Sequence, residues 1–294
     1  MASSTYQILE HYKKGEVRRE IAYFCRKRWV ALFGKRVVRY DEKGAPLCIE
    51  RPNQVIELLK RFSLMEPRSI HATSATFLNL SQREDVESET NVISYTPYWD
   101  IDNDRTKWKA TVEIAQGILD SLEREGISNS VYVMWTGRGM HVNLNQGSIS
   151  PEITRKYGAL DAAWAIVEYI IEKITDKLQN IREKHKAFEL RVDNEIKPKN
   201  LFSVPLSLHR KVNSVVICIR PDDLSSFNPS WSNPSFFKHS TDWRIFSIGE
   251  ADNLVKKAIN IYGGYPYPRR RGYRRKEPKV EDMLRKWMKK NNLL

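Results

Sequence analysis

The stretch that decides the fold of this chain is Tyr98-Trp99-Asp100-Ile101-Asp102-Asn103-Asp104. If it forms a β-strand, its side chains alternate between the two faces of a sheet, so Asp100 and Asp102 point the same way. Two carboxylates that lie so close repel each other unless a positive charge stands between them, and hard oxygen ligands suit Mg²⁺ or Mn²⁺. The pattern therefore predicts a strand that carries a metal site. The alternative interpretation is a turn with a solvated acidic face.

The composition indicates a globular protein without a membrane partner. Its 294 residues are enough for one large domain or two small ones, and 41% of them are hydrophobic and 29% charged. No apolar run reaches the roughly 18 residues that a membrane helix needs, and the N-terminus has no apolar signal core. The three cysteines form neither a CxxC zinc half-site nor an obvious disulfide framework. We therefore expect an intracellular, cytoplasmic protein.

The net charge of +13 is concentrated at the two ends of the chain. Residues 1–40 contain 10 Lys and Arg against 3 Asp and Glu, and residues 255–294 contain 13 against 3, so the middle of the chain carries a net charge of −4. A slightly acidic centre between basic ends fits a metal-carboxylate site flanked by phosphate-binding surfaces. The alternative is the charge-rich surface of a thermophilic protein.

Hydrophobic periodicity predicts an alternation of helices and strands. Helices are expected over residues 5–32, 53–63, 108–125, 151–184 and 249–261. Strands are expected over residues 69–77, 94–102, 131–135, 142–144, 188–193 and 215–219, with a hairpin that joins 37–40 to 47–49.

A second motif, Thr136-Gly137-Arg138-Gly139-Met140-His141, follows a buried strand. Its two glycines let the backbone approach a ligand closely. A hydroxyl, a guanidinium and an imidazole at Thr136, Arg138 and His141 suit a polyphosphate. The alternative is an ordinary hairpin turn, with His141 as a hydrogen-bonded strand histidine.

Two further pieces lie downstream. Asp193 ends an apolar strand, and a third carboxylate would complete the ligands of two metal ions, although a lone Asp is more often a cap or turn residue. In an extended stretch, Ser207 and His209 share a face and Lys211 repeats it, which makes a second donor cluster. The alternative is an exposed strand end.

The order of these motifs resembles the catalytic small subunit of archaeal and eukaryotic DNA primases, within the archaeo-eukaryotic primase superfamily of primase-polymerases. The resemblance covers about residues 15–220 and rests on the aromatic-led DxD, the Thr-Gly-Arg-Gly-Met-His motif, Arg191-Val192-Asp193, and Ser207-Leu208-His209-Arg210-Lys211 before a Val/Ile strand. It implies an α/β (α+β) fold in which mixed, mostly antiparallel sheets form a central cleft with flanking helices.

The resemblance also implies an activity and a site. The activity is template-directed nucleotidyl transfer, with two Mg²⁺ or Mn²⁺ ions, to synthesise primers in DNA replication. By matched position, the catalytic and metal-binding carboxylates are Asp100, Asp102 and Asp193. The matched nucleotide-binding residues are Thr136, Arg138, His141, Ser207, His209 and Lys211. The implied partners are a single-stranded DNA template, nucleoside triphosphates of either sugar type, and a primase large subunit, whether separate or fused downstream.

The chain departs from the family in three places, of which the first is the segment before the Ser-x-His motif: residues 201–206 contain no arginine, although many archaeal relatives have one there. Between His141 and Asp193 the only Cys or His is His185, so we predict no structural zinc. Residues 263–294 have no family counterpart. We predict a catalytic domain over residues 1–262 and, after it, a basic arm with a short terminal helix. The arm is expected to bind nucleic acid through Arg269, Arg270, Arg271, Arg274 and Arg275.

Two other functions compete with this one. A non-catalytic, nucleic-acid-binding subunit would keep the fold alone, and the intact set of three aspartates argues against it. A metal-dependent nuclease also uses paired carboxylates, but it needs no grip on a triphosphate. Nucleoside triphosphate binding that requires metal would separate the polymerase from both.

Overall fold

Helices and strands alternate along residues 5–267, which the computed structural model of this protein describes. The helices are α1 (Thr5–Lys13), α2 (Gly15–Cys25), α3 (Pro52–Arg61), α4 (Trp108–Arg124), α5 (Pro151–Tyr157), α6 (Ala159–His185) and α7 (Asp252–Tyr262). The strands are β1 (Val30–Phe33), β2 (Val37–Val38), β3 (Ser69–Thr73), β4 (Ala75–Phe77), β5 (Val92–Tyr95), β6 (Tyr98–Asp102), β7 (Val131–Trp135), β8 (Met140–Leu144), β9 (Arg191–Asp193), β10 (Leu201–Ser203), β11 (Ile217–Ile219), β12 (Ser232–Asn233) and β13 (Phe236–Phe237).

Two antiparallel sheets form the centre of the structure. The larger sheet has the strand order β11-β7-β8-β6-β9, and the smaller has the order β10-β3-β1-β2. Two short antiparallel pairs, β4-β5 and β12-β13, stand beside them. The predicted fold class, α/β with mostly antiparallel sheets, is confirmed.

Helices cover one face of the larger sheet and leave the other face open. On β6, Trp99 and Ile101 are fully buried, and the indole N–H of Trp99 donates to the carbonyl of Val167 on α6 (3.1 Å). Because side chains alternate along a strand, this burial turns Asp100 and Asp102 to the opposite, open face. Amphipathic α4 packs against α6 and reaches β8, which completes the covered side.

The two sheets meet along a cleft, as the resemblance implied. Tyr98 of β6 stacks on Phe202 of β10, with ring centroids 5.3 Å apart. The side-chain amide of Asn200 donates to the Tyr98 hydroxyl (2.6 Å), which ties the sheets together. A cavity between them is lined from the smaller sheet by residues such as His71 and from the larger by residues such as Asp100.

Tertiary contacts overrule local periodicity at two predicted elements. The helix expected over 5–32 ends at Cys25, because Val30 begins a strand that is buried between β2 and β3. The strand expected over 94–102 is two strands separated by Thr96 and Pro97, and these strands belong to different sheets.

The structure also decides the form of two other predicted elements. Residues 151–184, expected as one long helix or a broken one, form two helices that are separated at Gly158, whose φ of +88° suits glycine. Val37–Val38 pairs with β1, and the expected hairpin is closed by the bridge from Tyr40 to Pro46 and by the backbone N–H of Leu47, which donates to the carbonyl of Arg39 (2.9 Å).

The beginning of the predicted arm packs against the folded core. After α7, the backbone N–H of Tyr265 donates to the carboxylate of Asp161 on α6 (2.8 Å). The five arginines assigned to nucleic-acid binding lie outside the described residues, so that assignment and the domain boundary stay predictions. Within residues 5–267, no helix has both the length and the apolar character to span a bilayer.

His11 makes the stability of the protein depend on pH. Its ring is 4% exposed on α1, and Nε2 lies 2.8 Å from the carbonyl oxygen of Leu206, to which it donates. Burial lowers the pKa of His11 to about 4, so the folded protein holds the ring neutral where an unfolded chain, with an ordinary value of 6.5, takes up a proton. Stability is therefore lost as the pH falls from 6.5 towards 4.

We expect the stability contributed by His11 to fall by about 2 kcal/mol between pH 7 and pH 5. His11→Gln keeps an N–H donor and removes the titration, so the wild type should lose about 2 kcal/mol more than the variant over this range. Urea unfolding of both proteins at the two pH values measures the effect. An equal loss in both would contradict it.

Candidate active site

The pairing of β6 with β9 brings three carboxylates to one face of the larger sheet. Asp100 lies directly opposite Asp193, and Asp102 lies directly opposite Arg191. Residues opposite each other in an antiparallel pair share a face, as do residues two apart on one strand. The carboxylates that the sequence placed together as catalytic therefore stand side by side on the open face.

Each of these carboxylates has a nitrogen partner. On the far side of β6, His141 lies opposite Asp100, with its Nε2 3.2 Å from Oδ1 of Asp100. The guanidinium of Arg191 reaches both other carboxylates: its Nε donates to Asp193 (2.7 Å), and a terminal nitrogen donates to Asp102. The open face thus already holds a positive charge between two of the three acids.

The pKa values of the two β6 carboxylates shift in opposite directions. Burial alone would raise the pKa of Asp100, but the charge and hydrogen bond of His141, together with Arg191, hold it below the ordinary value. Burial and the charge of Asp100 raise the pKa of Asp102 above its ordinary value, although Arg191 opposes this. A divalent cation would relieve this repulsion, as pairs of carboxylates require.

The Gly-Arg-Gly motif forms the turn between β7 and β8. The backbone N–H and hydroxyl of Thr136 both donate to the carbonyl of Gly139 (3.0 and 3.1 Å). A Cβ at Gly139 would lie 2.0 Å from the carbonyl oxygen of Ile101, so only glycine lets the turn lie against β6. Gly137 has a φ of +107°. The motif is therefore a hairpin turn, and it also delivers Thr136 and Arg138 to the rim of the cleft.

His209 is fixed as a neutral hydrogen-bond donor. Its Nδ1 accepts the backbone N–H groups of Lys211 and Val212, both at 3.0 Å, so the ring proton resides on Nε2. Burial, followed by the positive charges of Arg138 and Arg68, lowers the pKa of His209 to about 4. At neutral pH the ring therefore offers an uncharged N–H to the cleft.

Two cavities meet at the carboxylates. One, here called the basic chamber, has a volume of about 310 Å³ and is lined by Asp102, Asn103, Thr136, Arg138, Glu189, Arg191, His209, Arg210 and Lys211. The other, the aromatic chamber, has a volume of about 360 Å³ and is lined by Ser69, His71, Tyr98, Asp100, Asp102, Thr136, His141, Glu195, Leu201, Phe202, Ser203, His209, Arg210 and Val216. Asp102, Thr136, His209 and Arg210 line both chambers, so the two are neighbours.

Ser207 lines neither chamber, and its role in nucleotide binding stays a prediction. Its side chain is fully buried, and its hydroxyl accepts the backbone N–H of Ile70 (2.7 Å) beside the hydroxyl of Tyr12 (3.2 Å). The chain here is not a regular strand, since Leu206 has a φ of +60°. Ser207 therefore anchors the segment to the smaller sheet.

Two arginines at the site were given no role from the sequence. Arg210 lines both chambers, and its guanidinium packs over the ring of Phe33 at 4.5 Å. Arg191 belongs to the Arg-Val-Asp motif, but its contact with Asp102 comes from a strand 89 residues away. The sequence signal that could have indicated a role for each arginine is its position inside a motif already assigned to the site.

The donors suit a divalent cation. Within the described part of the chain, no three His, Cys, Asp or Glu side chains already converge on one point. One oxygen each of Asp102 and Asp193 contacts Arg191, and one oxygen of Asp100 contacts His141. Because the three carboxylates share one face and one guanidinium spans two of them, modest side-chain rotation would let Asp100, Asp102 and Asp193 hold a metal ion.

A larger cavity of about 990 Å³ lies elsewhere, bounded by α5, α6 and β5. Its walls include apolar residues such as Val92, Ile149 and Leu160, and none of the predicted site residues lines it. A polyphosphate needs clustered cations and N–H donors, so the basic chamber is the better phosphate site.

We expect Gly139→Ala to lower the free energy of unfolding by about 1–3 kcal/mol, because the added methyl forces the turn away from β6. Gly15→Ala is the control, since its methyl would meet only the flexible end of the Arg19 side chain. Urea unfolding measures both. Equal stability of the two variants would contradict the close approach.

Comparison with known proteins identifies the fold. No protein-family model matches the sequence, and no curated protein matches it. Among solved structures, the chain is similar to the polymerase domain from Mycobacterium tuberculosis ligase D in complex with DNA. The similarity has a TM-score of 0.54 and 12% sequence identity, and it covers 89% of this chain and 90% of that one. This chain therefore has the fold of a polymerase domain, while its family membership stays a prediction.

Proposed function

We propose that this protein is a nucleotidyltransferase of the primase-polymerase type, which extends a nucleic-acid strand from nucleoside triphosphates on a DNA template. The observation that carries the proposal is that the basic and aromatic chambers meet at Asp102, which shares one sheet face with Asp100 and Asp193. The similarity of the fold to a polymerase domain supports it. The finer proposal is that the strands it makes are primers for DNA replication.

The two chambers suit the two halves of a nucleotide. In the basic chamber, a triphosphate would meet the guanidinium groups of Arg138 and Arg210, the ammonium of Lys211 and the neutral N–H of His209. In the aromatic chamber, a nucleoside would lie near Tyr98 and the other rings between the sheets. The reacting phosphate would then lie near Asp102, which lines both chambers.

The chemistry needs no protein nucleophile. When bound by the three carboxylates, two Mg²⁺ or Mn²⁺ ions would lower the pKa of the attacking hydroxyl and neutralise charge on the leaving pyrophosphate. The chain's own cations and the Nε2–H of His209 would stabilise the charge that develops on that pyrophosphate. His141 holds Asp100 in place through its Nε2.

Template binding follows from charge. The net charge of +13 favours a phosphate backbone without reading its sequence. The structurally similar polymerase domain was solved in complex with DNA. We therefore propose single-stranded DNA as the template and the arginines of residues 269–275 as backbone contacts. A primase large subunit is the proposed protein partner.

The nuclease alternative is disfavoured by the basic chamber. A nuclease would need the carboxylates and a strand-binding groove, but it has no use for a cluster of cations and N–H donors beside the metal site. The non-catalytic alternative is disfavoured because the three carboxylates are brought to one face of the paired strands β6 and β9.

The direct test is strand synthesis on a single-stranded template with Mg²⁺ or Mn²⁺ and all four triphosphates of each sugar type, with and without a primer. We expect synthesis by the wild type and none by the double variant Asp100→Asn/Asp102→Asn, which lacks two metal ligands. Asp120→Asn is the matched control, since Asp120 pairs with Lys177 away from the cleft. No synthesis by the wild type with either metal, sugar or primer state would overturn the proposal.

The second test addresses the triphosphate grip. We expect His209→Ala to raise the KM for the triphosphate about tenfold, because it removes one N–H donor to a charged phosphate. His185→Ala is the control, since that ring pairs with Glu113 on α4. Steady-state kinetics on a primed template gives the KM for the triphosphate in each variant. An unchanged KM in His209→Ala would place the triphosphate elsewhere.

A further inference from the structure

Arg191 makes two contacts that the proposed reaction does not use. It lies on β9 opposite Asp102 and two residues before Asp193, so all three side chains share the open face. The Nε of Arg191 donates to Asp193 at 2.7 Å, and a terminal nitrogen of the same guanidinium donates to Asp102. The planar fork of arginine is suited to this double contact.

These contacts occupy one oxygen of each of two carboxylates that a metal ion would require. Oδ2 of Asp102 and Oδ2 of Asp193 face Arg191, so a guanidinium stands where two acids would otherwise face a divalent cation. A guanidinium and a metal ion held by the same carboxylates repel each other, because both are positively charged. Binding of the ion therefore favours the departure of Arg191.

The exposure of Arg191 and its position in the basic chamber allow its side chain to move from the carboxylates to a bound phosphate. Its side chain is 55% exposed, so it is free to rotate without disturbing the core. It also lines the basic chamber, together with Arg138 and Lys211. A guanidinium that leaves the carboxylates can therefore meet a phosphate group in that chamber.

We propose that Arg191 is an exchangeable counter-cation of the carboxylate set. It holds Asp102 and Asp193 until a divalent ion displaces it, and its guanidinium then binds the triphosphate of the substrate. This inference rests on the proposed function and adds a positioning residue to it. Because one side chain serves both ligands, metal binding and triphosphate binding favour each other, and the coupling is reciprocal.

The solvent exposure of the two carboxylates sets how strongly Arg191 can compete with a metal ion. Asp102 and Asp193 are 45% and 43% exposed, and ion pairs at such positions are weak because water screens them. Competition by Arg191 should therefore weaken metal binding by roughly threefold to tenfold.

The experiment is a Mn²⁺ titration of the full chain without nucleotide. The electron paramagnetic resonance signal of free Mn²⁺ measures how much of the ion is bound. Arg191→Ala should bind Mn²⁺ about threefold to tenfold more tightly than the wild type. Arg191→Lys keeps the positive charge but loses the fork that spans two carboxylates, so it should also bind more tightly. Arg220→Ala is the matched control, because Arg220 makes an exposed ion pair with Asp223 outside both chambers and should bind Mn²⁺ as the wild type does.

A second titration tests the other half of the exchange. With saturating Mn²⁺ and a non-hydrolysable nucleoside triphosphate analogue, Arg191→Ala should bind the analogue several-fold more weakly than the wild type, while Arg220→Ala should not change. A residue that only supports the strand would not tighten one ligand and weaken the other.

The outcomes separate this inference from the proposed function. Mn²⁺ binding that is unchanged or weaker in both Arg191 variants, but abolished in Asp100→Asn/Asp102→Asn, would overturn the role of Arg191 and leave the metal site standing. Arg191→Lys with wild-type Mn²⁺ affinity would also overturn it, because charge and not occupancy would then explain any effect of alanine. If the double aspartate variant bound Mn²⁺ as the wild type does, the proposed function itself would fail.

Discussion

The repulsion among three carboxylates on one face of paired strands is the constraint on which the site depends. Asp100 and Asp193 lie opposite each other, and Asp102 follows one strand repeat later. A strand would relieve this repulsion by slipping one residue, but a slip would expose Trp99 and Ile101 and bury the acids. The hydrophobic face of β6 therefore holds the carboxylates where they repel. The site must supply positive charge instead.

The nitrogen groups that face these acids come from different parts of the chain. His141 approaches Asp100 from β8, and Arg191 approaches Asp102 from β9. Arg138 comes from a hairpin turn, and Arg210 comes from the irregular segment after β10. Cations that arrive from separate elements surround the acids without crowding one another. The result is a cleft in which acidic and basic groups are neighbours. A charged ligand that enters it changes the local balance between positive and negative charge.

Close packing holds these elements at the required separation. Gly139 lets the hairpin turn touch the backbone of β6, and Ser207 fastens the His209 segment to β3. Tyr98 joins the two sheets through Phe202 and Asn200. These contacts are buried, so they are rigid compared with the exposed arginines that line the basic chamber. A rigid frame with mobile cations suits a site that must exchange ions and phosphates.

The sequence by itself determined the features that depend on neighbouring residues. The amphipathic period of α4 and the alternation along β6 are local signals, and both appear where they were predicted, while the Gly-Arg-Gly motif forms the hairpin turn that was its alternative interpretation. Only the tertiary structure decided that residues from Val30 leave the helix for a sheet, that Ser207 turns inward, and that Arg191 spans two acids. These outcomes depend on residues far apart in the sequence. A local sequence pattern does not predict which distant strand will pack beside a given segment.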